Sequence, residues 1–240
     1  MASILVTGAS RGIGLAIARR LAGAGYQVAA LARTEGEALA AAIKEADGRI
    51  GFVPFDLNDL DAIPELVRST RSRFDRFWGL VNNAGLSVEG LLANTHPAQI
   101  EAVIKLNVTA PIILTKHVVR GMMTGGGGRI VNMSSIIGST GYNGLSVYGA
   151  TKAAMIGFTK SLAREMGRMS VTVNAIAPGF IDTDLTASLG EEGREQVMRR
   201  SALRRLAEAD DVAAMTEFLM GDGGKNITGA VLTIDAGNTA

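Results

Sequence analysis

Cysteine is absent from this chain of 240 residues, and histidine occurs only twice, at His96 and His117. Without cysteine the chain can form no disulfide, no thiolate nucleophile and no cysteine-ligated metal site. The two histidines lie far apart along the chain, so we interpret both as structural or solvated residues. We therefore expect no metal site.

An excess of charge of one sign is also lacking, because 24 Lys and Arg residues oppose 23 Asp and Glu residues, for a net charge of +1. This balance gives no electrostatic reason to expect binding to nucleic acid or to a membrane surface. No apolar run approaches the roughly 18 residues of a membrane span. The chain enters its first strand pattern without the features of a signal peptide, so we expect a soluble, cytoplasmic protein.

Strand and helix patterns alternate from one end of the chain to the other, and no linker-like stretch or internal repeat interrupts them. Alternation of this kind is typical of an α/β protein whose parallel sheet is covered by helices on both faces. We predict a single domain over residues 1–240 with a doubly wound parallel sheet of about seven strands. The strand patterns lie at residues 3–7, 27–32, 51–55, 79–82, 129–134, 171–176 and 231–234, and the clearest helix patterns at 13–24, 97–122, 147–166 and 210–220.

A glycine-rich turn follows the first strand pattern. The run Thr7-Gly8-Ala9-Ser10-Arg11-Gly12-Ile13-Gly14 leads from that strand directly into a helix pattern. Such a turn points backbone N–H groups and the positive end of the helix dipole at a phosphate. The spacing is G-x-x-x-G-x-G rather than the common G-x-G-x-x-G. The predicted cofactor-binding residues of this turn are Gly8, Ser10, Arg11, Gly12, Ile13 and Gly14.

Tyr148 and Lys152 stand four residues apart within the helix pattern at residues 147–166. Side chains at this spacing project from the same helical face, so the ammonium group can lie beside the phenol. A nearby positive charge lowers the pKa of a tyrosine from its ordinary value of about 10. We predict that Lys152 lowers the pKa of Tyr148 in this way and makes its phenol a usable general acid.

Together with the run Asn82-Asn83-Ala84-Gly85, these two motifs resemble the short-chain dehydrogenase/reductase family, in order and over essentially the whole chain. The resemblance implies a Rossmann-like fold and an oxidoreductase that uses a nicotinamide cofactor. Residues 182–206, a long polar segment between the last two strand patterns, are similar to the substrate lobe of this family. The resemblance also implies a homotetramer, with the two long central helices forming one interface and the last strand region another.

The resemblance implies four catalytic residues: Asn107, Ser135, Tyr148 and Lys152. Ser135 stands at the family's spacing before Tyr148 and is expected to hydrogen-bond the substrate carbonyl, which polarises it as hydride arrives. Tyr148 is expected to donate the proton, and Lys152 to hold the nicotinamide ribose as well as tune Tyr148. Ser134 precedes Ser135 on the strand and is expected to point to the other face.

Asn107 lies in the middle of the long helix pattern at residues 97–122, four residues before Pro111. A proline cannot donate a backbone hydrogen bond to the carbonyl four residues earlier and bends the helix there. We hypothesise that the carbonyl freed at Asn107 holds a water that relays protons through Lys152 to Tyr148. Breaks in a helical hydrogen-bond ladder are frequent at functional sites.

The end of the second strand pattern indicates which dinucleotide is used. NAD-preferring enzymes place a carboxylate there to bind the ribose 2′-hydroxyl, whereas an arginine accommodates a 2′-phosphate. In this chain Ala32 stands at that position, Arg33 follows it, and Arg11 can approach from the glycine-rich turn. Two guanidinium groups suit a phosphate dianion, so we predict NADPH/NADP as the cofactor.

The remaining cofactor contacts come from the resemblance alone. Besides Arg33, Tyr148 and Lys152, it implies contacts from Asp56 and Leu57 with adenine, from the turn Asn83, Ala84 and Gly85 beside the adenosine ribose, and from Pro178, Gly179, Ile181 and Thr183 near the nicotinamide.

Within the family, the chain resembles most the bacterial 3-oxoacyl-(acyl-carrier-protein) reductases of fatty acid biosynthesis. The supporting runs are at residues 157–165, 178–184 and 227–232. This implies reduction of a 3-oxoacyl thioester, carried by acyl carrier protein or by CoA, to the 3-hydroxyacyl thioester. The alternative is an NAD(P)-dependent oxidoreductase of another small carbonyl or alcohol, such as a sugar, a polyol or a xenobiotic ketone.

Two further features bear on partner and class. Arg129 matches one arginine associated with carrier contact, whereas Met169 stands where a second is expected and Arg168 lies one residue early. Docking of an acyl carrier protein is therefore only weakly indicated. A non-enzymatic dinucleotide sensor is disfavoured, because the serine, tyrosine and lysine of the catalytic pattern are all present.

Overall fold

Seven strands form one sheet in the computed structural model, which describes residues 1–181 and 190–240. Neighbouring strands are parallel throughout, in the order β3-β2-β1-β4-β5-β6-β7. This confirms the predicted single-domain, doubly wound α/β fold. The strands are β1 (Ser3–Thr7), β2 (Gln27–Ala32), β3 (Ile50–Pro54), β4 (Phe77–Asn82), β5 (Gly128–Met133), β6 (Val171–Pro178) and β7 (Val231–Ile234).

Helices cover both faces of the sheet, and their bounds agree with the predicted helices to within two residues, apart from the break described below. In chain order they are α1 (Gly12–Gly23), α2 (Gly36–Glu45), α3 (Ile63–Ser69), α4 (Arg71–Phe74), α5 (Pro97–Ile104), α6 (Ala110–Thr124), α7 (Ile137–Thr140), α8 (Ser146–Met166), α9 (Gly190–Arg200) and α10 (Ala209–Met220).

The alternation of side chains along the strands creates two separate cores. On β1, Ile4 and Val6 face the core formed with α1 and α10, whereas Leu5 faces the core formed with α6 and α8. Every residue of β1 is buried, as expected for a parallel strand that is covered on both faces. Apolar burial on both faces therefore holds the sheet rigid, and its strand ends provide fixed positions for polar side chains.

The helix predicted at residues 97–122 is not continuous. Residues Lys105–Thr109 form a turn of π-helix between α5 and α6, and Asn107 lies at its centre. Pro111, in the first turn of α6, supplies the reason, since it has no N–H with which to continue the α-helical ladder. The predicted break at Asn107 is confirmed.

The combined stretch Pro97–Thr124 is the longest apolar helical stretch in the described part of the chain, although Glu101, Lys105, Lys116 and Arg120 interrupt it. By length and composition alone its 28 residues could cross a bilayer, with a mean hydropathy of 1.3 in the most apolar window. Within the fold this stretch packs on the sheet, where Leu114, Val118 and Met122 are buried in the second core. The packing of its apolar side chains on the sheet accounts for its apolar content.

The polar segment predicted at residues 182–206 contains α9, whose exposed face is rich in charged residues. Residues 182–189 lie outside the described part of the chain. The chain end pairs with the residues that follow α9, since the N–H groups of Ala202 and Leu203 donate to the carbonyls of Gly237 and Ala236. The Asp235 side chain accepts hydrogen bonds from the N–H groups of Gly237 and Thr239.

Candidate active site

The predicted site residues of the described chain gather at one edge of the sheet. All strands run parallel, so the carboxyl ends of β1, β2, β4, β5 and β6 meet at this edge. The sheet order places β1 beside β4, where successive connections turn to opposite sides. In open parallel sheets, such a switch point leaves a crevice in which ligands bind.

The glycine-rich turn is built so closely that side chains cannot be added at its key positions. Gly8 and Gly12 have φ values of +66° and +55°, a conformation that favours glycine. A Cβ atom at Gly14 would lie 2.2 Å from the carbonyl oxygen of Gly8. The turn therefore leads α1 off the strand with its first N–H groups directed at the crevice, as an anion-binding site requires.

Thr7, which sequence reasoning did not single out, holds this turn against the end of β4. Its hydroxyl accepts hydrogen bonds from the N–H groups of Asn83 and Ala84, each at 2.9 Å, and donates to the Val81 carbonyl at 3.3 Å. The Asn83 side chain donates to the carbonyls of Thr7 and Gly8 at 2.9 and 3.3 Å. In the sequence, the position of Thr7 as the last, polar residue of an apolar strand could have indicated this role.

The end of β2 places Arg33 next to the glycine-rich turn, which itself contains Arg11. The Ala9 N–H donates to the Leu31 carbonyl at 3.2 Å, which joins the two segments. Ala32 is buried at the strand end, and Arg11 and Arg33 are both exposed. The position after β2 therefore presents positive charge, with no carboxylate at Ala32.

Asp56 and Leu57 follow β3 at the same edge. One carboxylate oxygen of Asp56 accepts hydrogen bonds from the N–H and the side-chain amide of Asn58, both at 2.9 Å. The Leu57 side chain is buried in the second core and is 5% exposed. The Leu57 side chain is thus used for packing and does not supply the predicted adenine contact.

Ser135, Tyr148 and Lys152 come together where β5 ends and α8 begins. The Ser135 hydroxyl accepts from the Ile137 N–H at 3.3 Å, lies 3.5 Å from the Pro178 carbonyl, and is near enough to the Tyr148 phenol to lower its pKa. The Lys152 ammonium donates to the Met133 carbonyl at 3.0 Å. One of these predicted catalytic groups therefore comes from a strand end and two come from one face of a helix.

Ser134 is predicted to point to the face opposite Ser135, but its hydroxyl also contacts α8. Its hydroxyl donates to the Lys152 carbonyl at 2.8 Å and is buried against α8. This bond fixes the backbone of the helix beside the strand end. Ser134 thereby positions α8, whereas the Ser135 hydroxyl reaches the phenol of Tyr148.

The prediction that Lys152 lowers the pKa of Tyr148 is wrong for this structure. Burial raises the pKa of Tyr148 above its ordinary value, and the hydrogen bond from Ser135 offsets only part of that increase. Burial also lowers the pKa of Lys152 from 10.5 to about 8. The Lys152 nitrogen lies 5.5 Å from the centroid of the Tyr148 ring. Removal from water thus outweighs the attraction between the two groups.

Asn107 is buried in the π-helical turn, and its side chain is fully engaged by neighbouring residues. The amide donates to the Leu86 carbonyl at 2.8 Å and to the Thr151 hydroxyl at 3.1 Å, and its oxygen accepts from the Leu86 N–H at 2.8 Å. Thr151 in turn donates to the Tyr148 carbonyl at 2.7 Å. Asn107 therefore connects the segment after β4 to the helix of Tyr148 and Lys152.

A row of buried polar side chains crosses the sheet behind these residues. The Asn82 amide donates to Thr115 at 3.0 Å and to Asn132 at 2.8 Å, and the Asn132 amide donates to Thr159 at 2.9 Å. This row joins α6, β4, β5 and α8. Polar residues inside otherwise apolar strands were its signal in the sequence. We interpret the row as a brace for the catalytic edge.

The predicted nicotinamide-side residues lie after β6, and only part of this group is described. Pro178 ends the strand, and the Gly179 N–H donates to the Ile234 carbonyl at 2.8 Å. Ile181 is buried and pairs with Ala207 in an isolated bridge. Thr183 lies outside the described residues.

Arg129, which the resemblance matched to a carrier contact, is largely buried in this structure. It is 8% exposed and lies at the amino-terminal end of β5, opposite the catalytic edge. Its guanidinium packs 5.1 Å from the Trp78 ring centroid and donates to the Gly128 carbonyl at 3.0 Å. Met169, at the second position matched to a carrier contact, is 42% exposed. The exposed position of the pair is therefore uncharged, and the charged residue, Arg129, is buried.

Comparison with known proteins was consistent with this geometry. A family model described as short chain dehydrogenase matches residues 2–194. The 3-oxoacyl-(acyl-carrier-protein) reductase of Aquifex aeolicus is 39% identical over 237 residues, covering 97% of this chain and 95% of that protein. The Escherichia coli enzyme of the same name is 38% identical over 234 residues, with the same coverage of 97% and 95%. A blue fluorescent protein from a metagenomic library, solved in complex with NADPH, superposes with a TM-score of 0.93 at 33% identity, covering 100% of this chain and 98% of that one.

Burial of Lys152 makes the folding stability depend on pH. Between the folded pKa of about 8 and the ordinary value of 10.5, the unfolded chain binds a proton at Lys152 that the folded chain does not. The free energy of unfolding therefore rises with pH across this window, and the full penalty for the buried charge applies below it. Urea unfolding of wild type and Lys152→Met across the window should show this rise in the wild type relative to the variant. Parallel pH profiles would contradict the shift.

Proposed function

The chain belongs to the short-chain dehydrogenase family, and we propose that it catalyses NADPH-dependent reduction of a 3-oxoacyl thioester to the 3-hydroxyacyl thioester. The observation that carries the proposal is the cluster of Ser135, Tyr148 and Lys152 beside the glycine-rich turn at the sheet's switch point. The relatives named above, which match over nearly their whole length, support the choice of substrate.

In this mechanism the residues of the chain provide the proton and the orientation, and the nicotinamide supplies hydride when bound. Ser135 hydrogen-bonds the substrate carbonyl oxygen and holds it next to Tyr148. The raised pKa of Tyr148 keeps its phenol protonated at neutral pH, so it can donate to the oxygen as negative charge develops there. Lys152 holds the nicotinamide ribose, with its nitrogen 5.5 Å from the centroid of the Tyr148 ring.

The residues at the cofactor edge fit a dinucleotide with a 2′-phosphate. Arg11 and Arg33 lie on joined segments next to the position where a carboxylate would bind a 2′-hydroxyl, and two guanidinium groups suit a phosphate dianion. The solved neighbour in complex with NADPH is consistent with this choice. The pyrophosphate is assigned to the turn containing Gly8, Ser10, Gly12, Ile13 and Gly14.

The other assigned contacts distribute the cofactor along the crevice. We assign adenine to Asp56 and the Leu57 backbone, the adenosine ribose to residues 83–85, and the nicotinamide to Pro178, Gly179, Ile181 and Thr183. Gly85 lies next to the predicted catalytic groups, because a Cβ there would make ordinary contacts of 3.4 Å with the Asn107 oxygen and 3.5 Å with the Lys152 nitrogen.

Asn107 is assigned a role through its backbone carbonyl, since its side chain is already engaged. We propose that this carbonyl holds a water that passes protons through Lys152 to Tyr148. The π-helical turn supports the proposal, because it interrupts the ladder in which that carbonyl would otherwise accept an N–H bond.

The surface around Arg129 bears on the carrier of the acyl group. Burial of Arg129 and the exposed Met169 argue against a basic docking pair for an acidic carrier protein, and thus favour CoA or another small carrier. Because a carrier-docking pair of arginines is not present at these two positions, reduction of another small carbonyl is the second candidate function. A cytoplasmic homotetramer whose substrate lobe spans residues 182–206 completes the proposal.

Tyr148→Phe tests the proton donor. NADPH oxidation followed at 340 nm with acetoacetyl-CoA should fall by roughly 100-fold or more in this variant, because the general acid is lost. NADPH binding, measured by fluorescence titration, should stay close to that of the wild type. A wild-type enzyme that binds NADPH without reducing acetoacetyl-CoA would point to another carbonyl substrate.

Arg33→Ala tests the 2′-phosphate site. Loss of one charge-assisted hydrogen bond should raise the KM for NADPH by roughly 10- to 100-fold and leave the KM for NADH nearly unchanged. Arg19→Ala is the matched control, since Arg19 is an exposed arginine that pairs with Glu45 away from the strand ends. Equal effects of Arg33→Ala on both cofactors would argue against phosphate recognition.

Pro111→Ala tests the contribution of the helix break. An alanine at this position can donate the missing backbone hydrogen bond, so turnover should slow by roughly tenfold as the Asn107 carbonyl is recaptured, while NADPH still binds. Pro97→Ala, at the first position of α5 where proline is readily tolerated, serves as the control. Turnover equal to that of the wild type would refute the water relay.

A further inference from the structure

Several large apolar side chains are exposed at the catalytic edge instead of being packed in either core. Leu91 and Leu92 are 60% and 57% exposed, Tyr142 is 45% exposed and Leu86 is 39% exposed. Monomeric proteins seldom leave large apolar side chains clustered at the surface without a function. These residues lie on two loops, one after β4 and the other between β5 and α8.

The two loops and the end of β6 are joined by direct contacts. The Gly90 N–H donates to the Gly144 carbonyl at 2.9 Å, which places the loop of Leu91 beside the loop of Tyr142. The Tyr142 ring meets the Phe180 ring edge-on, with centroids 5.8 Å apart and planes at 64°. We refer to Leu86, Leu91, Tyr142 and Phe180 as the apolar rim.

The apolar rim is continuous with the groups assigned to the reaction. Tyr142 lies on the short connection from Ser135 to Tyr148, and Phe180 lies two residues after Pro178, whose carbonyl is 3.5 Å from the Ser135 hydroxyl. Leu86 is bound through both its N–H and its carbonyl to Asn107. A molecule whose carbonyl lies at Ser135 and Tyr148 therefore has the rim beside its remaining atoms.

Charge is sparse in the sequence around the rim. No Asp, Glu, Lys or Arg occurs in residues 136–147 or in residues 177–181, and the exposed Glu89 is the only such residue between Leu86 and Leu91. A sugar, a polyol or an anionic group would find no charged side chain but Glu89 on these segments, whereas an aliphatic chain would gain from contact with aromatic and leucine side chains. The chemistry of the rim therefore favours an alkyl group.

We propose that the apolar rim is the subsite for the aliphatic part of the acyl group, and that Tyr142 is a specificity-determining residue for acyl chain length. The inference rests on the proposed function and adds to it a preference for longer acyl chains. A medium-length 3-oxoacyl chain reaches Tyr142 and Phe180, whereas an acetoacetyl group ends at the reacting carbons and their methyl group.

The experiment compares acetoacetyl-CoA with 3-oxooctanoyl-CoA in the full-length protein with NADPH, measuring kcat/KM for each. The wild type should favour 3-oxooctanoyl-CoA. In Tyr142→Ala this preference should fall by roughly tenfold, because several methylene contacts are lost, with acetoacetyl-CoA reduction changed by less than about twofold. Tyr142→Phe should keep the preference, since the ring provides the contact.

Met123→Ala provides the control, because Met123 is also exposed, at 39%, but lies near the end of α6 at the opposite edge of the sheet. Thermal unfolding of each variant checks that folding is preserved. Equal losses for both substrates in Tyr142→Ala, or no loss for either, would overturn the subsite while leaving the proposed function intact. If wild type reduces neither thioester although it binds NADPH, both the function and the subsite are wrong.

Discussion

The parallel arrangement of all seven strands is the constraint on which the site depends. It brings the carboxyl ends of the strands to a single edge, so residues distant in the chain, such as Thr7, Asn83 and Ser135, can lie around one crevice. Apolar packing on both faces keeps the sheet rigid. The glycine-rich turn, the nucleotide side and the reacting groups are consequently held in fixed relation by backbone geometry.

Most buried polar side chains in the described chain are hydrogen-bonded, with the Asn82 oxygen, the Arg129 Nε and the Thr172 hydroxyl as exceptions. An unpaired buried donor or acceptor costs about 1–3 kcal/mol, and the row from Thr115 through Asn82 and Asn132 to Thr159 avoids most of that cost. The Lys152 ammonium similarly donates to a backbone carbonyl. The same pairing that stabilises these groups fixes α8 against β5, so structural bonds and site geometry are inseparable here.

Much of the fold could be predicted from the sequence, because apolar periodicity and glycine position are local signals. The seven strands and the break at Asn107 followed from such signals, the latter from the missing N–H of Pro111. The pKa of Tyr148 could not be predicted, since spacing indicates that Lys152 is near but not how much water remains around either group. Likewise, Arg129 reads as a surface charge in the sequence and is buried against Trp78 in the structure.

The sequence by itself determined the sheet-forming segments, the glycine-rich turn and the common face of Tyr148 and Lys152, because each depends on residues within a few positions of one another. Only the tertiary structure decided the protonation behaviour of those two residues, the bracing role of Thr7 and the contact of Tyr142 with Phe180. Solvation and contact between distant segments depend on how the whole chain packs, and no local pattern encodes them.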